Sequence, residues 1–266
     1  MEVAEKFAVI RASGRYWTVG AVHSEADRLQ DLHRRMEQRL KDNDKLVYLG
    51  NFLGIGAAAV ETVDEMLLFR RRFLARPRAH IKDYVILRGA QEEIWQKLLQ
   101  IQMALNPGEV LNWMMEHGAG PTMQSYGADP EDALAAVREG VTALNRWAAS
   151  LRDRIRGLDG HAALIASLRR AAYGDDGGML FVHSGLDPAR PITSQADDFW
   201  WNSQGFDEIT APYGTYRRIV RGHDPRGGGV QINPYTATID GGCGHGGNLV
   251  AACFDPLGEM VDLIEA

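Results

Sequence analysis

The sequence predicts an α/β protein with layered sheet, flanking helices and an all-helical insertion, and three observations carry that prediction. The N-terminal part alternates short apolar runs with amphipathic helical patterns, β then α, three times over. Residues 106–170 are rich in Ala, Leu and Arg at helical periodicity. After Gly177-Gly178 the pattern changes to successive strands.

Taken in order, Phe7 to Ile10 and Trp17 to His23 read as strands. From Asp27 onward, Leu29, Leu32, Met36 and Leu40 recur at three- and four-residue spacing, and polar turn formers at Asp42-Asn43 end that helix. Lys45 to Gly50 is the next core strand, followed by a helix carrying Val60, Val63, Met66 and Leu67. The apolar run Tyr84 to Leu87 and a helix with Ile94, Leu98 and Leu99 complete the rhythm. Pro107, Pro121 and Pro130 break the insertion into several helices. Strands are then expected at Met179 to His183, Arg218 to Gly222, Val230 to Asp240, Leu249 to Phe254 and Glu259 to Ile264. The last two form a hairpin, because Asp255-Pro-Leu-Gly258 places Pro and Gly where a tight turn uses them.

Composition bounds the function. The 266 residues suffice for one large or two small domains. With 45% hydrophobic and 24% charged residues, the chain is globular rather than disordered or fibrous. Lys plus Arg number 29 against 35 Asp plus Glu, a net charge of -6, so no overall positive field attracts a phosphodiester backbone and nucleic acid is not an expected partner. Cys243 and Cys253 give neither a disulfide framework nor a metal pattern and read as buried thiols. MEVAEKFAVI lacks the cationic start and apolar stretch of a targeting segment, and no window is apolar for the roughly 18 residues a membrane span needs. A soluble, cytoplasmic protein is expected.

The chemistry should sit where strands end. Apolar runs finish in Gly20-Ala-Val-His23-Ser24, Gly50-Asn51-Phe-Leu-Gly-Ile-Gly56, Arg88-Gly89-Ala-Gln-Glu92, Phe181-Val-His183-Ser-Gly185 and Arg221-Gly222-His223-Asp224. In layered α/β folds such loops converge on one crevice. In this order and spacing the chain resembles the calcineurin-like metallophosphoesterases, in the bacterial branch of PPP-type serine/threonine phosphatases and diadenosine-tetraphosphate hydrolases. Their pattern runs G-D-x-H-G, G-D-x-x-D-R-G, R-G-N-H-E, H-x-G and G-H. Trp201 near the W-x-R element, Ser125-Tyr126-Gly127 and the stretch Ile239-Asp240-Gly-Gly-Cys-Gly-His-Gly-Gly-Asn-Leu249 extend the match from about Tyr16 to Ile264. The resemblance implies a sandwich of two mixed β-sheets flanked by helices, a single domain over 1–266 with the helical cap at about 106–170 inside it.

The resemblance also implies where the chemistry has gone. In the family two metal ions activate a bridging hydroxide, and one carboxylate bridges both. Here the first Asp is replaced by Ala21, the bridging Asp by Asn51 and the Asn ligand by Ala90. The proton-donating His corresponds to Gln91 and its Asp partner to Gly54, while the phosphate-gripping Arg residues correspond to Ile55 and Asn202. No catalytic position is intact. His23, His183 and His223 survive as ligand types, with Asn51 a poor fourth, so at most one zinc or manganese ion is expected and no other cofactor. The implied function is a pseudophosphatase that binds a protein partner or phosphorylated ligand. The alternative is a hydrolase of phosphomonoesters or nucleotides using one metal on the three histidines, and a weaker third is anion binding by partly protonated histidines.

The other candidates read as structure. Arg70-Arg-Arg72, Arg76 and Arg78 form a solvated helix end. Arg226-Gly-Gly-Gly229 is a flexible turn, and His245 lies in a loop that the resemblance places near the cleft. His33, His80, His117 and His161 lack ligand spacing and are expected at the surface, and Trp113, Tyr126, Trp147, Trp200 and Trp201 in the core.

Overall fold

The computed structural model describes residues 6–266; the first five residues of the N-terminal stretch read for a targeting segment lie outside the described residues. Strands β1 (Phe7–Ile10) and β2 (Tyr16–Val19) lead into α1 (Ala26–Glu37), β3 (Lys45–Tyr48), α2 (Ala59–Leu74), β4 (Tyr84–Ile86) and α3 (Ala90–Leu98), the expected threefold rhythm. The insertion contributes α4 (Pro107–Glu116), α5 (Ala119–Ser125), α6 (Pro130–Glu139), α7 (Val141–Arg156) and α8 (His161–Ala166). The chain continues through β5 (Ala171–Gly174), β6 (Met179–Val182), two short helices α9 (Asp198–Trp201) and α10 (Ser203–Asp207), and β7 (Arg218–Arg221). It closes with β8 (Gln231–Ile232), β9 (Thr236–Thr238), β10 (Val250–Phe254) and β11 (Met260–Glu265).

These strands form two mixed sheets, six-stranded in the order β1-β5-β6-β7-β9-β8 and five-stranded in the order β11-β10-β2-β3-β4. The triplet β2, β3 and β4 is parallel, as helical crossovers require, and β10 closes antiparallel on β2. Between the sheets lies one apolar layer that includes Val47, Leu49, Phe181, Val220, Ile239 and Phe254. Helices α1 and α2 bury Leu29, Leu32, Val63 and Met66 on the outer face of the five-stranded sheet, and this cluster continues into the insertion through Leu111, Met114, Leu144 and Leu151. Phe199, Trp200 and Phe206 cover the outer face of the other sheet. Strands buried on both faces read as unbroken apolar runs, which is why they were visible in the sequence.

The C-terminal hairpin forms as expected, with Asp255 Oδ1 accepting the N–H groups of Leu257 and Glu259. Three expectations are corrected. Val230 to Asp240 is not one strand: Pro234 cannot donate to a ladder, and the chain doubles back so that β8 and β9 pair antiparallel. The strand expected over Trp17 to His23 stops at Val19, because Ala21 donates to Gly222 O and Val22 and His23 both donate to Asn51 O, cross-links between loops rather than a ladder. Strand β5, too short and Ala-rich to stand out, precedes Gly177. Among the described residues no helix is long and apolar enough to cross a membrane.

Candidate functional site

Every motif loop leaves the carboxyl end of a strand at the same end of the sandwich, and glycine makes the convergence possible. Gly50 has φ +89, and a Cβ there would lie 2.6 Å from Gly89 N and 2.9 Å from His183 Nδ1. Gly222 packs so closely that a Cβ would lie 2.2 Å from Leu49 Cβ. The loops also hold side chains in the left-handed region: His23, Ser24, Asn51 and Ile55 have φ between 52 and 62. For β-branched Ile55 this is a strained conformation, which persists only where surrounding contacts fix the backbone.

Glu92, fully buried at the start of α3, is the clamp that fixes it. Its carboxylate accepts the N–H groups of Asn51 (2.8 Å), Gly89 (2.7 Å) and Leu53 (2.9 Å), joining the Asn51 loop to the helix N-terminus. Burial raises its carboxyl above the usual range, with the amides of Leu53, Gly89 and Asn51 opposing. The insertion adds a second tie, since Thr122 Oγ1 accepts from Gly54 N and Ser125 Oγ from Val60 N.

Within this frame His23, His183 and His223 come together. The rings of His183 and His223 stack at 5.3 Å and 11°, and His23 meets His223 edge-on at 5.7 Å. His245 joins them, its ring 5.6 Å from that of His23. His183 is fully buried and its Nδ1–H donates to Leu49 O at 2.8 Å, which leaves the lone pair on Nε2. His183 Nε2, His23 Nδ1 and His223 Nδ1 are buried without hydrogen-bond partners. Asp240 Oδ2 stands 3.3 Å from His223 Nδ1, near enough for attraction but outside hydrogen-bond geometry. Burial, then the neighbouring His223 and His245, push His23 down to about 3. Burial, then His223, push His183 well below the imidazole range. Both are neutral near pH 7. Burial pulls the Asp240 carboxyl up, but His223 and the amides of Asp224 and Gly242 prevail and hold it below the usual range. Asp240 belongs to the site as well, and its signal in the sequence is a carboxylate just beyond a buried strand.

The positions expected to have lost their chemistry are placed as follows. Asn51 Oδ1 accepts the backbone N–H of Gln91 at 2.9 Å, so the oxygen standing where a bridging carboxylate would be is already engaged. Gln91 fills the space opposite Gly54: a Cβ on Gly54 would lie 2.2 Å from Gln91 Oε1, while Gln91 Nε2 donates to His117 O. Ala21 and Ala90 are buried, and Ile55, Ala90 and Gln91 line the cleft. Asn202 does not line it; its Oδ1 accepts from Gly205 N at the start of α10, while its neighbour Trp201 faces the cleft.

A pair of divalent ions does not fit these residues. The side chains of Ala21 and Ala90 offer no donor atom, Asn51 is neutral with its oxygen engaged, and the one carboxylate close to the three histidines, Asp240, is already used by the backbone N–H groups of Asp224 and Gly242. Among the described residues no group of three or more His, Cys, Asp or Glu side chains is arranged to hold a metal.

Two other expectations change. His33 and His161 are buried rather than exposed. His33 bridges Glu65 and Tyr48 at 2.6 Å each, and His161 bridges Tyr126 and Asp64 at 2.9 and 3.1 Å, so two adjacent carboxylates on α2 satisfy two core histidines. Trp113 and Trp201 are half-exposed at the mouth of the cleft instead of in the core. Cys243 and Cys253 are buried free thiols, as expected.

No family model and no curated protein matches the chain. Among solved structures it is similar to a candidate diadenosine tetraphosphatase over 98% of both chains, at 19% identity and a TM-score of 0.53. It is also similar to a protein serine/threonine phosphatase from Saccharomyces cerevisiae at 14% identity, covering 98% of this chain and 82% of the other with a TM-score of 0.54. A cold-active protein tyrosine phosphatase matches at 12% identity over 98% and 81% of the two chains, TM-score 0.50. The fold is that of the calcineurin-like metallophosphoesterases.

Proposed function

We propose that this protein is a member of the PPP-type phosphatase family that has kept the scaffold and cleft but binds rather than hydrolyses. The observation that carries the reading is Asn51: the side chain in the bridging position is an amide whose oxygen already accepts the Gln91 N–H. The losses at Ala21, Ala90, Gln91, Gly54 and Ile55 agree with it, since together they remove ligands, general acid and phosphate clamp. Binding then acts through the cleft or through the helical insertion and the segment leading into it, where Met103, Leu105 and Val141 stand exposed as a candidate protein interface.

One observation favours the alternative of a single-metal hydrolase: the unpartnered nitrogens of His23, His183 and His223. Metal analysis combined with hydrolysis of p-nitrophenyl phosphate under Mn²⁺, Zn²⁺ or Fe²⁺ separates the two. The binding reading expects no turnover above buffer. Stoichiometric metal with turnover that disappears in His183→Ala would overturn it.

A further inference from the structure

Strands β1 and β4 are edge strands, one in each sheet, and both line a slot of about 310 Å³ that shares no lining residue with the cleft. One end of this gap is already spanned by chain: Arg169 N donates to Ile86 O, and Arg170 N donates to Lys6 O. Beyond that point both edges are open. Ile10 O accepts from Asp175 N, so the pleat turns the backbone N–H and C=O of Val9 away from β5. Leu87 N donates to Tyr48 O, so the N–H of Ile86 turns away from β3 in the same manner. Edges of this kind are templates for a further strand. The charge of the slot is the reverse of the molecule's. The chain carries -6, yet Arg70, Lys82 and Arg169 line the slot and none of its described lining residues is Asp or Glu. Asp83, next to Lys82, is buried and engaged by Arg11 at 2.7 Å and Lys45 at 3.3 Å. In the basic run of α2, Arg72 pairs with Glu37 and Arg76 donates to Lys41 O. Arg70 instead lies over the Tyr84 ring at 6.0 Å and, like Lys82, has no ion pair among the described residues. Val9 and Ile81, 44% and 51% exposed, add apolar surface beside these cations.

We propose that this slot takes up an extended acidic segment of a partner protein, which adds as a strand along the β1 and β4 edges and sets its carboxylates against Arg70 and Lys82. Main-chain hydrogen bonds supply the grip, and side chains at alternate positions supply the selection. A segment alternating acidic and apolar residues suits the slot, because period two places carboxylates on one side and apolar groups against Val9 and Ile81 on the other. Carboxylates at Arg70 and Lys82 gain charge-assisted hydrogen bonds that neither cation has within the described chain. The surface is separate from the cleft and serves the protein whether or not the cleft hydrolyses.

Fluorescence anisotropy with the full chain and a labelled peptide of alternating Glu and Val tests it, against the same peptide with Lys in place of Glu. The acidic peptide should bind at least ten-fold more tightly than the basic one. Arg70→Glu and Lys82→Glu should each weaken it about ten-fold, as loss of one hydrogen bond between charged groups does. The double variant should prefer the basic peptide, a reversal that a merely unfolded protein cannot show, and thermal melts check that each variant is folded. N-methylation of two adjacent central residues of the peptide should remove binding, since one of the two must face an edge. Trp201→Ala, in the cleft wall, should leave binding unchanged. No binding of the acidic peptide at millimolar concentration, affinity indifferent to both charge reversals, or affinity indifferent to N-methylation overturns the inference. So does loss of binding in Trp201→Ala alone, which would place the peptide in the cleft, or tighter binding of a uridine pentanucleotide than of the peptide. None of these results bears on turnover of a phosphate ester, so this proposal and the reading of the cleft fail separately.

Discussion

His23 shows how burial decides chemistry at a single residue. With its imidazole held neutral down to about 3, the native chain declines a proton that the unfolded chain binds below about 6.5. Stability from this group is therefore complete above about pH 6.5 and is lost as pH falls toward 3, by about 2 kcal/mol at pH 5. Urea unfolding in EDTA between pH 7.5 and 5 should show the midpoint falling more steeply for the native chain than for His23→Gln; parallel pH profiles would contradict this. The motif spacing made His23, His183 and His223 legible, because ligand residues sit at fixed offsets from strand ends. It could not reveal the burial of His33 and His161, whose partners Glu65 and Asp64 lie 32 and 97 residues away in the chain. Nor could it show Trp113 and Trp201 at the cleft mouth, since an exposed aromatic and a core aromatic occupy the same helical spacing.

At the scale of elements, α3 is built around Glu92. Its carboxylate answers three N–H groups that would otherwise be buried without acceptors, at the end of the helix where a negative charge is favoured. Glu92→Gln keeps the shape but turns an NH₂ toward one of those N–H groups. The variant should lose about 2–3 kcal/mol and melt roughly 4–6 °C lower, with the circular dichroism of the folded state retained. A melting temperature within a degree of the native value would show that the clamp is dispensable. The alternation of apolar runs and amphipathic helices made the order and type of β2 through α3 readable, though β2 ends four residues earlier than expected. Strand β5 was not readable, because Ala171-Ala-Tyr-Gly174 carries little apolar pattern and forms only through its neighbours, and β8 was read as continuous with β9 across the turn that separates them.

Over the whole molecule, two sheets, the flanking helices and the helical insertion hold five loops in a phosphatase-like arrangement around a cleft that lacks the charges such chemistry uses. The apolar cluster that begins under α1 and α2 and runs into α4 and α7 supports that arrangement from outside the cleft. Loop positions depend on this packing, on glycines such as Gly50 and Gly222, and on Glu92, none of which is a metal ligand. The scaffold and the chemistry are therefore physically separable, which is what the proposed binding function requires. The most direct test is anomalous scattering at the zinc and manganese edges from crystals grown with an excess of each metal. The expected map contains no pair of peaks among His23, Asn51, His183 and His223. Two peaks a few ångströms apart there, bridged by any carboxylate of the chain, would contradict the account.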